Sequence, residues 1–212
     1  MKSDATSSAA AALTAVAIAA CAPSTPAARS AVLAPVTPPA YTAADVHFMS
    51  GMIYHHAQAV LIAGWAPTHD ASQSLRALCE RIVVGQRDEI ALASRWLRAR
   101  HEAVPEVDPA HAMMPNMPGM DQGTMMPGML TPEQLAQLDA GRGTEFDRLF
   151  LLGMIKHHQG AIDMVNELFK AYGAAQEETV FKFANDVYAD QGTEIDRMQK
   201  MLAALLFQGR GQ

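Results

Sequence analysis

Histidine pairs occur twice in this chain, each one helical turn after a methionine. Asp45-x-x-Phe48-x-x-x-Met52-Ile53-x-His55-His56-x-x-Ala59 returns as Asp147-x-x-Phe150-x-x-x-Met154-Ile155-x-His157-His158-x-x-Ala161, with every matched residue 102 positions later. Imidazole and thioether are both metal ligands, so a repeat that keeps them points to a site built from two equivalent segments. Thioether is a soft, neutral donor. It favours Cu(I), and the chemically similar Ag(I), over zinc, magnesium or calcium, while imidazole also accepts Cu(II). The candidate ligands are Met52, His55, His56, Met154, His157, His158 and Met164. The halves are unequal in sulfur, because Met164 stands where the first has Ile62, and Met198 where the first has Ala93.

A second set of donors lies between the repeats. Seven of the 14 methionines fall within 113–129, and no Leu, Ile or Val interrupts them. His111, Met113, Met114, Met117, Met120, Met125, Met126 and Met129 could wrap several thioethers around one ion, a secondary capture site in flexible backbone. The plainer alternative is an adaptable apolar lid, which methionine also makes well.

These donors must be positioned by helices. Successive helical residues sit about 100° apart, which puts Asp45, Met49, Met52, His56 and Ala59 on one stripe, with Phe48, His55 and Ile62 on its flank. Tyr54 and Lys156 should face solvent, and His47 falls off the stripe. The stripe faces a core, where four imidazoles among Met, Phe and Ile cost free energy unless each finds a partner. One answer is a carboxylate. Glu89 and Glu194 belong to a second repeated element, Gln86-x-x-Glu89-Ile90 and Gln191-x-x-Glu194-Ile195. The other answer is a metal, and the residues alone leave both open. Asp45 and Asp147 read as helix N-terminal charges favoured by the dipole, at most outer partners of the site alongside Glu89 and Glu194.

The expected elements are a helix from about 43 to Gly64, closed by Pro67, and a second from Asp70–Ser74 to Arg100. Prolines and glycines then forbid regular structure over the crossover at 103–130. Thr131-Pro132-Glu133-Gln134 starts a short helix to Ala140. Thr144-x-x-Asp147 reads as a capping box opening a helix that Gly173 ends, and a last helix follows from Gln176 to Phe207. The fold class is all-α, a four-helix bundle from two duplicated hairpins with a long Met-rich crossover.

The bundle should occupy 42–207. Ala9–Ala20 is apolar but too short to span a bilayer, and it fits a signal segment over 1–20. Ile18-Ala19-Ala20-Cys21 resembles a lipobox, which would make Cys21 the lipidated first mature residue and attach the protein to a membrane. An Ala/Pro-rich tether covers 21–41. Cys79, among Leu75, Leu78 and Ile82, reads as a buried small hydrophobe. His69 and His101, near helix ends, read as exposed.

Several classes are disfavoured. A net charge of -6 and 6% aromatics argue against nucleic acid. Without any Glu-x-x-His, the di-iron carboxylate pattern is missing, and neither Cys-x-x-Cys nor His-Glu-x-x-His signals zinc. No nucleophile–base pair or phosphate loop gives catalysis a positive signal.

The paired motifs, the Met-Pro-Gly-Met and Thr-Pro-Glu-Gln stretches and both Gln-x-x-Glu-Ile elements resemble the bacterial domain-of-unknown-function family 305 over about 42–207. The resemblance implies a ferritin-like bundle, export, and copper handling outside the cytoplasm. Many members have proline before the histidine pair, where this chain has Tyr54 and Lys156. The expectation is an exported periplasmic or surface protein that binds copper, Cu(I) foremost with Cu(II) or Ag(I) as alternatives, for buffering, sequestration or transfer. The rivals are a ferritin-like metal oxidase and a structural module with a satisfied histidine network. Imidazole must be deprotonated to bind, so His-dependent binding should weaken below about pH 6.

Overall fold

Thr42 opens the first helix by accepting from the Asp45 backbone N–H at 3.2 Å, while the Asp45 carboxylate accepts from the Thr42 N–H at 2.7 Å. In the computed structural model, which describes residues 41–107 and 126–208, α1 runs Ala43–Ala63 and α2 Gln73–Ala99. The short α3, Pro132–Ala140, follows the crossover, then α4, Gly143–Lys170, and α5, Glu178–Gln208. Every helix or strand among the described residues is helical, one short 3-10 turn at Ala66–Thr68 included. Pairs α1/α2 and α4/α5 form the two hairpins, and α1 packs on α4 across a pseudo-two-fold, completing the four-helix bundle. Residues 1–40, with Cys21, lie outside the described residues, as do His111, Met113, Met114, Met117, Met120 and Met125 of the crossover.

The start of α4 departs from expectation. Arg142 is its N-cap, with no side-chain capping bond, and Thr144 caps nothing. Asp147 instead reaches the other hairpin, where its carboxylate accepts from the Ser72 N–H at 3.2 and 3.3 Å, at the N-cap of α2. Asp45 does the mirror-image job with its second oxygen, accepting from the Ala175 N–H at 2.7 Å in the loop before α5. Asp70 and Ala175, at matching places in the two loops, share left-handed backbone, φ 52° and 54°. The repeated aspartates therefore lock the hairpins to one another. Both carboxylates are used up in holding loops, so neither serves as an outer partner of the histidines.

His69 is another departure, at 4% exposed. It stacks on Trp65 at 5.8 Å between ring centres, and its nitrogens reach the Trp65 carbonyl and Asp139, each at 3.0 Å. The short helix α3, docked over this corner, is what buries it. His101 is exposed as expected, and Cys79 is buried, its thiol pushed up to about 12 mainly by that burial.

The end of the crossover, Met126–Leu130, lies as a strap over α1 and α4. Gln58 grips it from α1: its amide donates to the Leu130 carbonyl at 3.1 Å and accepts from the Leu130 N–H at 2.8 Å. The matching residue on α4 is Gly160, where a Cβ would run into the Pro127 carbonyl and lie 2.7 Å from Gly128 Cα. A single strap cannot obey a two-fold axis, and the exchange of Gln58 for Gly160 is how the helices accommodate it. Tyr54, expected in solvent, is half-buried against Met126 and Met129. Gly160→Ala should push the strap off α4 and cost about 1–3 kcal/mol, the usual range for overpacking. Urea denaturation checks the cost. Faster proteolysis between 126 and 130 distinguishes strap release from general loosening.

Candidate metal centre

Two apolar cores fill the bundle, and the histidines lie between them. One holds Ile62, Leu75, Leu78, Ile82, Phe146, Phe150 and Met154. The other holds Phe48, Met49, Met52, Trp96, Val165 and Phe183. Along α1 the His pair falls between Ile53 of the second core and Ala59 of the first. Along α4 it falls between Met154 of the first and Ala161 of the second. The motif thus makes a polar layer of four imidazoles, all 0% exposed, with Met52 and Met154 in the cores on either side.

The pairs divide into inner and outer members. His55 and His157 meet across the pseudo-two-fold, ring centres 3.9 Å apart and planes 40° apart. Within each pair the rings stand 6.2 Å apart, turned to different neighbours. The outer rings find the expected carboxylates on the partner helix of their hairpin. His158 Nε2 donates to Glu194 Oε2 at 2.7 Å. His56 Nε2 lies 2.7 Å from Glu89 Oε2, close enough for an ion pair but off the hydrogen-bonding direction. Of the inner pair, His55 Nε2 donates to the Pro127 carbonyl of the strap at 3.0 Å.

What remains is a set of unpartnered ring nitrogens. His55 and His158 each leave Nδ1 without a hydrogen bond, and His56 and His157 each leave both Nδ1 and Nε2. Burial draws the His55 ring down to about 3 and holds His157 and His158 below the ordinary histidine value, Glu194 partly offsetting this at His158. These rings are neutral at physiological pH. In His55 and His158, Nε2 carries the proton and Nδ1 presents a bare lone pair. This is the tautomer arrangement of metal-binding histidines, whose second nitrogen donates to a carboxylate or carbonyl. The donor set therefore fits a metal that accepts imidazole and thioether. Among the described residues, though, no three His, Cys, Asp or Glu side chains converge on one point suited to an ion. The inner rings lie against each other, 3.9 Å apart at a 40° tilt, so seating an ion between them requires them to part.

The burial of the imidazoles changes the sequence-based pH expectation. A free imidazole competes with protons below about pH 6. The buried His55 does so only near 3, so its lone pair stays available at pH 5 for as long as the fold persists.

Met164 and the strap methionines sit apart from this layer. Met126 and Met129 are buried at 3% and 4% and cluster with Tyr54 and Met164. A Cβ on Gly51 would lie 3.1 Å from Met164 Cε and 3.7 Å from Met126 Sδ. Gly51 and its repeat mate Gly153, which faces Leu130, give the strap room, and their identity across the repeat was the unused signal for it. Met164 thus joins the strap's thioethers, while the Pro127 carbonyl is the strap's hydrogen bond to an imidazole.

The comparisons agree with this architecture. The family model described as Domain of unknown function (DUF305) matches residues 45–202. A DUF305 fragment from Deinococcus radiodurans is 27% identical at a TM-score of 0.63, covering 78% of this chain and 99% of that one. A putative secreted DUF305 protein from Streptomyces coelicolor is 24% identical with the same TM-score, covering 76% and 93%, a likeness of fold alone. CopM in a Cu(II)-bound form is 28% identical at a TM-score of 0.59, covering 76% and 96%. Structures of CopM with Cu(I) and with Ag also match in fold. No curated protein matches the chain.

Proposed function

The chain belongs to the DUF305 family, and from that premise we propose that it is an exported protein that binds copper, chiefly Cu(I), through buried histidine and methionine, to buffer, sequester or hand on the ion. The observation that carries this is the layer of fully buried imidazoles with six ring nitrogens that make no hydrogen bond. Groups of that kind cost about 1–3 kcal/mol each when left unsatisfied. A bound cation would use the lone pairs, and the carboxylates behind His56 and His158 would hold those rings at the angle to bind it. Met52, His55, His56, Met154, His157 and His158 are the proposed ligand pool. Met126, Met129 and Met164 form a separate thioether cluster to which the remaining crossover methionines, with His111, would deliver the ion.

CopM, crystallised with Cu(II), supports the choice of metal, and Ag(I) is the expected substitute. The apolar segment within residues 1–20 supports export, with lipid attachment at Cys21 as part of the same proposal. The rival, a satisfied structural network, draws support from the Glu89 and Glu194 contacts but has no account of His157, whose ring has no hydrogen bond at all.

The test is anaerobic Cu(I) titration against a colorimetric chelator. Wild type should compete for the metal, and the variant with His55, His56, His157 and His158 all changed to Ala should lose its tightest site. Unchanged stoichiometry and affinity in the variant would leave the methionines as sole ligands.

A further inference from the structure

The histidine layer is fully buried, and its two approaches differ. Over α1 and α4 the strap covers it, with the Pro127 carbonyl on His55 and Gly128 nested on Gly160. Away from the strap, residues of α2 and α5 line an open groove of about 630 Å³. Its lining holds five carboxylates against two guanidiniums, and among the five are Glu89 and Glu194. These two are 16% and 20% exposed, and each touches a histidine with one oxygen, so each belongs to groove and layer at once.

A group of acids alone would be an ordinary solvated surface. This groove also contains Gln86 and Gln191, 3% and 2% exposed, which line it one turn before Glu89 and Glu194. Both amide atoms of Gln86 and the Gln191 carbonyl oxygen have no hydrogen-bond partner. Buried amides with free polar atoms, facing a groove roomy enough for water, call for water or a hydrated ion as partner. The carboxylate of Asp190, farther out, is raised by burial and then by Glu89 and Glu194, as expected where negative charge is concentrated.

We infer that the α2/α5 groove is the port through which a metal cation reaches the histidine layer, held in passage by Asp186 and Asp190, then by Gln86 and Gln191, and passed on by Glu89 and Glu194. This rests on the proposed metal site. The carboxylates attract the ion from solvent, and the amide oxygens replace part of its water. The inner oxygens of Glu89 and Glu194 lie against the rings that accept it.

The experiment is stopped-flow uptake of Ag(I) from a weak complex with a fluorescent indicator, using the full chain. Asp186→Asn with Asp190→Asn should slow uptake roughly fivefold at low salt, an effect that fades as salt screens it, with stoichiometry unchanged. Gly85 lines the groove, and a Cβ there meets nothing within 4 Å. Gly85→Phe should therefore fill the groove without disturbing the fold, slowing uptake at every salt concentration. The exposed pair Asp163→Asn with Glu178→Gln, off the groove, should leave the rate unchanged. If wild type takes up Ag(I) in a His157-dependent way and the groove variants load at the wild-type rate, the port is wrong and the site stands. If wild type takes up no Ag(I), or uptake ignores His157, both fall.

Discussion

Replacing His157 by leucine should make the metal-free protein more stable while destroying its copper site. His157 is wholly buried and neither ring nitrogen has a partner. Leucine is of similar bulk and carries no polar atom. The folded state then loses a desolvation cost worth about 1–3 kcal/mol per orphaned group, offset in part by imperfect packing beside His55. The urea midpoint should rise with no change in the slope of the transition. Copper affinity should fall by more than the roughly 10–100-fold that loss of a mere supporting partner costs. Opposite signs are the mark of a residue kept for function at the expense of stability. A structural histidine network predicts the reverse, a lower midpoint, because one ring of a packed polar layer has gone.

The second large effect is acid sensitivity of the metal-free protein. His55, His157 and His158 all have folded values lowered by burial, His55 to about 3. In the unfolded chain each takes up a proton near pH 6.5, which the folded state refuses. The unfolded state binds more protons, so stability is complete above about pH 6.5 and is lost as pH falls toward the folded values. His55 contributes about 1.4 kcal/mol per pH unit below 6.5 down to its folded value of about 3, and His157 and His158 shift the balance in the same direction. His55 alone therefore removes a sizeable share of an ordinary margin of about 5–15 kcal/mol between pH 6.5 and pH 4. Urea midpoints at pH 7.5, 6 and 5 should fall steeply, less steeply for His157→Leu, and less again for protein loaded with Cu(I). Midpoints independent of pH across that range would mean the imidazoles are not buried neutral. Because the ligands themselves resist protonation, copper release in acid should track unfolding.

Much of this architecture was legible because its signals are local. Thr42 and Asp45 spell a capping box, and the 3.6-residue period places His55 and His56 on the core side of α1. The same Thr-x-x-Asp spelling failed at Thr144, since Asp147 is spent on Ser72 of the other hairpin. Whether an acid caps its own helix or another's loop is decided by packing, which a linear pattern does not carry. His69 was misplaced for the same reason: α3 buries it from seventy residues away. For the histidines, periodicity predicted their burial and the carboxylates that meet the outer pair. It did not predict the split into inner and outer rings, which depends on how closely α1 approaches α4. Gln58 and Gly160, which differ between otherwise matched halves, marked the strap's seat, but such a mismatch gains meaning only once one crossover must lie on two equivalent helices.

The central claim is that imidazole and thioether hold the metal together inside the bundle. X-ray absorption at the copper edge, on wild type carrying one equivalent of Cu(I), tests it most directly. The account predicts a shell containing both imidazole nitrogen and thioether sulfur, with the nitrogen contribution lost in His157→Leu. A shell of sulfur alone, identical in wild type and variant, would place the ion on the crossover methionines and contradict the claim.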